Sequence, residues 1–433
     1  MLVKQLTQRR SYKAVNTILN GAVLHDLQGI DVLTMIANKK ALVIYDTGTG
    51  KTLLAAAVMK LLIRENPGRI FLMFVKHDQL VQTPAKLKSF AGLNTLATSA
   101  DSKILKNNFF GTNLEEYNVI MLTHECLHNT SVLDTIYEIK DKIAGIIIDE
   151  AHEYNNYNNA ESASVLKAMV HRFEYVFALT ATPIISDLMQ LARLANLVDS
   201  NKFPNASILY ENLLNRSYRI EADPWFFINR KAEELGRTSK PKGYVISVEP
   251  QHDQRGCTLG GVELFQVCKG DGAINQVKAL EELIKTNIDA KHRGLVYISQ
   301  QSILRWVVYN LQSSGIRFAC INSRTKLNER SLIEEKFARG EYDVVLTSIT
   351  TAIDLDCDYV AFYEFTVMVS QMIGRAHRGL KPKDLDIFFI ITKDTNEVDY
   401  FINNIYEKCQ IVKNILGKDN DAVNDVANSL GVD

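Results

Sequence analysis

The sequence lacks the features that define several classes of protein. Its 433 residues carry a formal net charge of −1, so no overall basic field exists and any nucleic-acid contact must come from local patches. No apolar run approaches the length that spans a membrane, and the amino-terminal stretch has no apolar core like that of a signal peptide. We therefore expect a soluble, cytoplasmic protein in a reducing setting.

Paired cysteines are also absent. The six cysteines are scattered along the chain without a C-x-x-C pair, which argues against a zinc site and against a disulfide framework. No nuclease signature is present either, so we do not expect this chain alone to cut DNA. What the chain does have is length and a hydrophobic content of 46%, which together allow two or three domains.

The most informative stretch is residues 41–52, Ala-Leu-Val-Ile-Tyr-Asp-Thr-Gly-Thr-Gly-Lys-Thr. It predicts a buried strand, a glycine-rich turn and the start of a helix, where backbone N–H groups and the positive end of the helix dipole converge on an anion. The lysine can reach the β- and γ-phosphates of a nucleotide, and the threonine after it can ligate Mg²⁺. Tyr45 replaces the first glycine of the usual pattern, so an ordinary glycine-rich turn is the alternative. The predicted ATP-binding residues here are Thr47, Gly48, Thr49, Gly50, Lys51 and Thr52.

Two residues upstream of this stretch are candidates for contact with the base. Gln28 falls on a predicted helix, and its amide can read the edge of an adenine because it both donates and accepts hydrogen bonds. Tyr12 can stack on the ring. A solvated glutamine is the alternative, since most polar side chains are exposed.

Apolar strands alternate with helices twice along the chain, which indicates two parallel sheets covered on both faces. We assign the first lobe to residues 1–210 and the second to residues 278–396. Prolines and glycines break the pattern over 211–277, a predicted linker with an insertion, in which Trp225–Phe227 is either a packed anchor or, less favoured, a base-stacking platform. Residues 397–433 predict a helical tail that braces the second lobe. The predicted strands are 69–75, 118–123, 143–149, 173–179, 243–248, 294–298, 318–321, 343–347, 359–363 and 386–391.

A pair of acids follows the strand at 143–149. Asp149 can hold Mg²⁺ through water, while Glu150 can orient the attacking water and accept its proton. After the next strand, the hydroxyls of Thr180 and Thr182 can relay between these acids and the second lobe. A turn stabilised by the threonine side chains before Pro183 is the alternative.

A basic helix is predicted in the second lobe. Arg375 and Arg378 stand three residues apart, on one helical face, four and seven residues after Gln371. Such arginines can stabilise the charge on a γ-phosphate in the transition state, as an arginine finger does. A surface basic helix is the alternative.

The order and context of these motifs resemble those of superfamily 2 helicases and translocases, with Asp149–His152 as a DEAH box. The resemblance covers residues 20 to 395. Leu179–Ile184 and Gly374–Arg378 are similar to the Swi/Snf-like helicases and to the phage branch-migration helicases. The resemblance implies an α/β fold of two RecA-like parallel-sheet lobes with an ATP cleft between them, a short inter-lobe insertion and a helical carboxyl-terminal tail. It also implies ATP and Mg²⁺ as cofactors.

The resemblance further implies roles for single residues. Gln28 matches the adenine-reading glutamine, and Asp354 matches an acid that borders the nucleotide. Thr123 and Thr347 match threonines that contact the nucleic-acid strand, and Ser299 can supply a further neutral contact to a phosphate. Ala352 departs from the glycine that many relatives have.

The sequence therefore predicts an ATP-driven DNA helicase or translocase. Its substrate is expected to be duplex, forked or branched DNA in replication, recombination or repair, with replication or recombination proteins as partners. The alternatives are a duplex translocase that does not separate strands, an RNA helicase, and a nucleotide-gated switch that binds nucleic acid. The predicted catalytic residues are Lys51, Glu150, Gln371, Arg375 and Arg378.

Overall fold

The structure is a computed structural model, and its contacts divide the chain into two compact units, Met1–Arg237 and Thr238–Asp433. Each unit is an α/β domain built on one parallel sheet. The residues that the structure describes are 15–99, 116–155, 160–185, 187–236, 241–251, 254–349, 353, 355–366, 369–376 and 384–432.

The first unit contains a seven-stranded sheet. Most of its strands are continuous runs of apolar residues and are fully buried, as expected when helices cover both faces of a parallel sheet. The strands are β1 (Lys40–Tyr45), β2 (Ile70–Val75), β3 (Thr95–Thr98), β4 (Val119–Thr123), β5 (Ile143–Ile148), β6 (Tyr175–Thr180) and β7 (Phe227–Arg230). They lie in the order β3-β4-β2-β5-β6-β1-β7, and every described pair is parallel. All their carboxyl ends therefore meet at one edge of the sheet.

Helices pack on the faces of this sheet. They are α1 (Asp26–Asn38), α2 (Lys51–Glu65), α3 (Gln79–Ala91), α4 (Thr130–Glu138), α5 (Ala160–Val170), α6 (Met189–Val198) and α7 (Ala206–Leu214). Val32 of α1 and Met59 of α2 belong to the same buried cluster as Val43 of β1. This packing fixes α2 so that its first residue meets the carboxyl edge of the sheet. Short 3₁₀ turns form at His124–His128, Lys140–Lys142, Ala151–Asn155, Ile220–Ala222 and Glu233–Leu235.

The second unit contains a six-stranded parallel sheet in the order β10-β11-β9-β12-β13-β8. Its strands are β8 (Pro241–Val248), β9 (Gly294–Tyr297), β10 (Phe318–Ile321), β11 (Val344–Thr347), β12 (Tyr359–Phe362) and β13 (Leu385–Thr392). Its helices are α8 (Gly261–Lys269), α9 (Ile274–Asp289), α10 (Gln301–Leu311), α11 (Leu327–Ala338), α12 (Val369–Ala376), α13 (Glu397–Phe401), α14 (Glu407–Leu416) and α15 (Asp421–Ser429). In its core, the rings of Phe362 and Phe389 stack with their centroids 4.9 Å apart.

The tail that follows β13 braces the edge of this sheet. The backbone N–H of Gly243, in edge strand β8, donates to Asp425 Oδ2 of α15 at 3.0 Å. A Cβ at Gly243 would lie 2.0 Å from the carbonyl oxygen of Ala422, so glycine permits this close approach. The buried Lys269 Nζ lies 3.3 Å from Glu397 Oε2 and thereby ties α13 to α8.

The predicted fold class, two parallel-sheet lobes, is confirmed, and each predicted strand is present within two residues of its predicted bounds. Within 211–277, the predicted linker with an insertion, the structure has β7 in the first sheet and the predicted strand at 243–248, which is β8, in the second sheet. Phe226 and Phe227 are buried against Phe203, with ring centroids 4.8 and 5.7 Å from it, as a packed anchor requires, whereas Trp225 is exposed. Among the described helices, none is both long and apolar enough to cross a membrane.

Candidate functional site

The loop between β1 and α2 is shaped for an anion. Gly48 and Gly50 have φ of 68° and 92°, in the left-handed region that favours glycine. The Thr49 hydroxyl donates to the carbonyl oxygen of Asp46 at 2.6 Å and closes the turn. Helix α2 has no acidic residue in its first turn, so no carboxylate competes for the positive end of its dipole.

The side chains on this loop fit a nucleotide phosphate with its Mg²⁺ ion. Lys51 Nζ donates to the carbonyl oxygen of Tyr45 at 3.4 Å, so the ammonium lies over the loop. Thr47 and Thr52 are half-buried there. An ammonium, a hydroxyl and a glycine-rich backbone without Cβ atoms are the groups that a phosphate and its magnesium require.

Gln28 holds this loop from helix α1. Its Nε2 donates to the carbonyl oxygen of Thr49 at 2.7 Å, and its Oε1 accepts the backbone N–H of His25 at 2.9 Å. The side chain is buried. The amide therefore joins the start of α1 to the glycine loop, and its contact with adenine stays a prediction.

Tyr45, the departure from the glycine pattern, belongs to a buried polar cluster. Its hydroxyl donates to Asp31 Oδ2 at 2.6 Å, and the Arg230 guanidinium donates to both Asp31 oxygens at 2.9 and 2.6 Å. Burial and the adjacent Asp31 carboxylate raise the pKa of Tyr45 well above its usual value, so the phenol keeps its proton. The cluster joins β1, α1 and β7. Sequence analysis missed it because Asp31 and Arg230 are 199 residues apart.

The acids predicted to act on the nucleotide follow β5 in a segment that we call the acidic turn, Asp149–Tyr154. Asp149 Oδ1 accepts the backbone N–H of Glu150 at 3.0 Å, and Gln79 Nε2 donates to Asp149 Oδ2 at 3.4 Å. Glu150 has φ of 49°, a conformation that costs on the order of 1–3 kcal/mol for a residue with a Cβ and that clusters at functional sites. Only β6 separates β5 from β1 in the sheet, so the acids and the glycine loop share one region of its carboxyl edge.

His152 connects Glu150 to the end of β6. Its Nδ1 lies 3.4 Å from Glu150 Oε2, 3.0 Å from Thr180 Oγ1 and 3.4 Å from Thr182 Oγ1. The backbone N–H of Thr182 donates to Thr180 Oγ1 at 3.1 Å. The predicted relay and the alternative, a turn stabilised by the threonine side chains, are therefore compatible. The turn holds both hydroxyls within 3.4 Å of His152 Nδ1.

Glu153 connects the acidic turn to the end of β2. Its Oε1 lies 3.4 Å from His152 Nε2 and 2.5 Å from Lys76 Nζ. Burial raises the pKa of Glu153, but the hydrogen bond with His152 and the charge of Lys76 outweigh it and lower the pKa to about 2. Glu153 is therefore an anion at neutral pH. Neither Glu153 nor Lys76 stands out in the sequence, because single charged residues after strands are common.

Tyr154, the last residue of the acidic turn, contacts the turn that follows β4. Its hydroxyl oxygen lies 2.7 Å from Nδ1 of His124, and the two rings are perpendicular with centroids 4.8 Å apart. Both side chains are buried. We call them the ring pair. The sequence offers no signal for this contact, since neither residue belongs to a spaced motif.

The predicted nucleic-acid contacts lie at the carboxyl edges of the two sheets, but two of them are buried. The Thr123 hydroxyl lies 3.5 Å from Cys126 Sγ, and the Thr347 hydroxyl accepts the N–H of Ile349 at 3.1 Å. Ser299 is exposed, and its hydroxyl donates to Glu364. The three hydroxyls thus form bonds within the chain, and their contact with a phosphate stays a prediction.

The remaining predicted residues belong largely to segments that the structure does not describe. Gln371 lies on α12 and is buried. Arg375 is on the same helix, but its side chain is outside the described part of the chain. Tyr12, Asp354 and Arg378 also lie outside it. Their predicted roles stay predictions.

Two protein families match the chain, one in each unit. The family described as "Type III restriction enzyme, res subunit" matches residues 8–185. The family described as "Helicase conserved C-terminal domain" matches residues 275–379. Together they cover more than half of the chain, including the glycine loop, the acidic turn and α12.

Two curated relatives are helicases. The chain is 26% identical over 411 residues to the ATP-dependent DNA helicase Hel308 of Caldivirga maquilingensis, which covers 85% of this chain and 49% of that protein. It is 24% identical over 173 residues to Helicase SWR1 of Yarrowia lipolytica, which covers 36% of this chain and 9% of that protein. The chain thus spans half or less of the length of these relatives.

Solved structures resemble the fold. The Hef helicase domain of Pyrococcus furiosus aligns with a TM-score of 0.53 and 14% identity, over 87% of this chain and 97% of that one. The Sulfolobus solfataricus SWI2/SNF2 ATPase core in complex with dsDNA aligns with a TM-score of 0.43 and 15% identity, over 96% of this chain and 97% of that one. At such low identity the likeness to the Hef helicase domain concerns the fold alone.

Proposed function

We propose that this protein, with the two domains of an ATP-dependent superfamily 2 helicase, is a hydrolase. We propose further that it uses ATP to move along DNA. The observation that carries this proposal is the acidic turn. It lies at the carboxyl edge of the first sheet, where only the end of β6 separates it from the glycine loop. It holds Glu150 in a left-handed conformation beside His152. A strained acid next to a phosphate-binding loop favours nucleotide hydrolysis over nucleotide binding alone.

When bound, ATP would supply the γ-phosphoryl group that is transferred to water, with ADP as the leaving group, and Mg²⁺ would neutralise charge on the phosphate oxygens. The loop N–H groups and Lys51 bind the phosphates, while Thr52 and Asp149 hold the ion. Glu150 orients the water and accepts its proton, and His152 fixes the Glu150 carboxylate through the 3.4 Å contact. Lys51 exchanges its bond with the Tyr45 carbonyl for a phosphate oxygen.

Further residues complete this proposed site. Tyr12 stacks on the adenine and Gln28 reads its edge, with Asp354 beside the nucleotide. From the second unit, Gln371, Arg375 and Arg378 act on the reacting phosphate. Of these, Arg378 is the arginine finger.

The proposed substrate is DNA, in duplex, forked or branched form, and the proposed process is replication, recombination or repair. The similarity to an ATP-dependent DNA helicase over most of this chain supports DNA over RNA. We place the DNA along the carboxyl edges of the sheets, near Thr123, Ser299 and Thr347. Replication or recombination proteins are the proposed partners.

The rate of ATP hydrolysis tests this proposal. It should be measured at one salt concentration with a DNA fork, linear duplex, single strand, RNA of the fork sequence, and no nucleic acid. We expect the fork to stimulate hydrolysis most and RNA least. Equal or greater stimulation by RNA would overturn the assignment to DNA and leave the motor in place. No stimulation by any nucleic acid would contradict the motor itself.

A further inference from the structure

The ring pair, His124 and Tyr154, connects two parts of the first unit that have separate proposed roles. His124 directly follows Thr123, at the edge where nucleic acid is proposed to bind. Tyr154 ends the acidic turn, two residues after His152, whose Nδ1 lies 3.4 Å from Glu150. A hydrogen bond of 2.7 Å therefore links the proposed nucleic-acid edge to the acidic turn, which carries both His152 and the catalytic acid.

The protonation states of the two rings follow from their burial. Burial lowers the pKa of His124 to about 4, so its imidazole is neutral at pH 7. Burial also raises the pKa of Tyr154 well above its usual value, so its phenol keeps the proton. A neutral imidazole has one donor and one acceptor nitrogen. The arrangement that satisfies most polar atoms has the Tyr154 hydroxyl donating to His124 Nδ1, with the ring proton on Nε2.

Nε2 of His124 is buried, and it has no hydrogen-bond partner among the described residues. A buried polar atom without a partner costs about 1–3 kcal/mol. The ring pair is thus held in place at a cost, which a movement of the turn His124–His128 would recover if it gave Nε2 a partner. Because the two rings are packed edge to face, such a movement would act on Tyr154 as well as on His124.

We propose that the hydrogen bond from Tyr154 to His124 couples nucleic acid at the end of β4 to the acidic turn, so that binding there repositions His152 and Glu150 for hydrolysis. Both members of the ring pair are positioning residues, because both are buried and neither belongs to the proposed nucleotide site. The inference rests on the proposed function, and it assigns the ring pair a part in the stimulation of ATP hydrolysis by DNA.

The test is Tyr154→Phe, which removes the hydroxyl and keeps the buried ring. The matched control is Tyr218→Phe in the same unit, which removes a hydrogen bond of 3.0 Å to Asp223 that involves no residue of the acidic turn. For the full chain we would measure ATP hydrolysis with and without a DNA fork, the affinity for the fork, and the urea midpoint of unfolding.

We expect Tyr154→Phe to lower the stimulation by the fork about tenfold, a typical coupling between two sites, while the affinity for the fork changes less than about threefold. Tyr218→Phe should keep the parental stimulation. His124→Phe, which keeps a buried ring but has no hydrogen-bonding atom, should lose stimulation as well, and the double variant should lose no more than either single variant, since all three break the same bond.

Three results would overturn the inference while the parent is stimulated by DNA. These are parental stimulation in Tyr154→Phe, an equal loss in Tyr218→Phe, and losses that add in the double variant. A parent that DNA does not stimulate would instead contradict the proposed function, and the inference with it.

Discussion

Glu150 is bound at its backbone and at its side chain. Its N–H donates to Asp149 and its carboxylate contacts His152, which keeps the side chain fixed despite the left-handed backbone. An acid held in this way can accept a proton from a water at one fixed position. The spacing of the sequence motif predicts which residue is the base, but the left-handed conformation and the contact with His152 appear only in the fold.

Replacing this acid by its amide separates nucleotide binding from hydrolysis. Glu150→Gln should bind Mg²⁺-ATP within about threefold of the parent but hydrolyse it at least about 10²-fold more slowly, because the amide cannot accept the proton of the water. Binding can be measured with a fluorescent ATP analogue and turnover by phosphate release. Glu174→Gln is the control, since it removes a carboxylate whose partner Lys39 is half exposed. Parental turnover in Glu150→Gln would show that the base is a different residue.

His124 makes the stability of the first unit depend on pH. Its pKa is about 4 in the folded chain, below the 6.5 expected when it is unfolded, because burial disfavours the imidazolium. Between pH 6.5 and 4 the unfolded chain binds a proton that the folded chain does not. The contribution to stability is therefore complete above pH 6.5 and is lost as the pH falls towards 4.

Urea unfolding at pH 7 and at pH 5 measures this loss. From pH 7 to pH 5 the parent should lose about 2 kcal/mol more of its free energy of unfolding than His124→Gln does, because the glutamine cannot be protonated. An equal loss in both proteins would mean that His124 is not buried as a neutral ring.

At the scale of elements, the buried cluster of Tyr45, Asp31 and Arg230 explains how β1 tolerates a tyrosine where the usual loop has glycine. The tyrosine is buried in the first unit, and through Asp31 and Arg230 it helps to hold α1 and β7 to β1. The glycines that the phosphate needs, Gly48 and Gly50, come later in the loop and keep their left-handed conformation. The departure at Tyr45 therefore leaves the phosphate-binding part of the loop intact.

The members of this cluster should differ in their effect on stability. Arg230→Ala should lower the free energy of unfolding by about 3 kcal/mol, because it leaves Asp31 buried without its cation. Tyr45→Phe should cost about 1 kcal/mol, the net value of one hydrogen bond. Both are measured by urea unfolding at pH 7. Lys39→Ala, which breaks a solvent-exposed ion pair with Glu174, is the control and should have little effect. A cost for Arg230→Ala no larger than for this control would contradict the role of the cluster.

Local pattern predicted the long buried strands and the helices that follow them, because a continuous apolar run has few alternatives in a parallel sheet. It did not predict β3 and β7. Each has only four residues at an edge of the sheet, and both are partly exposed there. No apolar run marks β3, and the short run that leads into β7, Trp225–Ile228, is as typical of a packed anchor as of a strand. β3 forms by pairing with β4, and β7 forms by pairing with β1. These pairings can be inferred only when the positions of β4 and β1 in the sheet are known.

In the molecule as a whole, residues that lie close together in sequence could be predicted, whereas contacts between distant residues could not. The glycine loop and the acids could be predicted because each motif lies within a few residues of sequence. The ring pair and the Asp31–Arg230 contact could not, because their partners are 30 and 199 residues apart and carry no spacing signal. Long-range pairing of this kind is set by the order of strands in the sheet, which local pattern does not encode.

The contribution of the second unit can be tested by one substitution. Arg378→Ala should keep ATP binding within about tenfold of the parent and lower kcat by roughly 10³, because the charge on the reacting phosphate loses its guanidinium. The matched control is Arg339→Ala, which removes an exposed arginine whose partner is Glu341. Measurement of kcat and of ATP affinity separates the two effects. A kcat within a few-fold of the parent would remove Arg378 from the site.

Displacement of streptavidin from the biotinylated end of a DNA duplex measures whether hydrolysis moves the protein along DNA. We expect displacement by the parent with Mg²⁺-ATP, and none with a non-hydrolysable ATP analogue or with Glu150→Gln. DNA-stimulated hydrolysis by the parent without any displacement, from either end of the duplex or from single-stranded DNA, would contradict the motor and favour a nucleotide-gated switch.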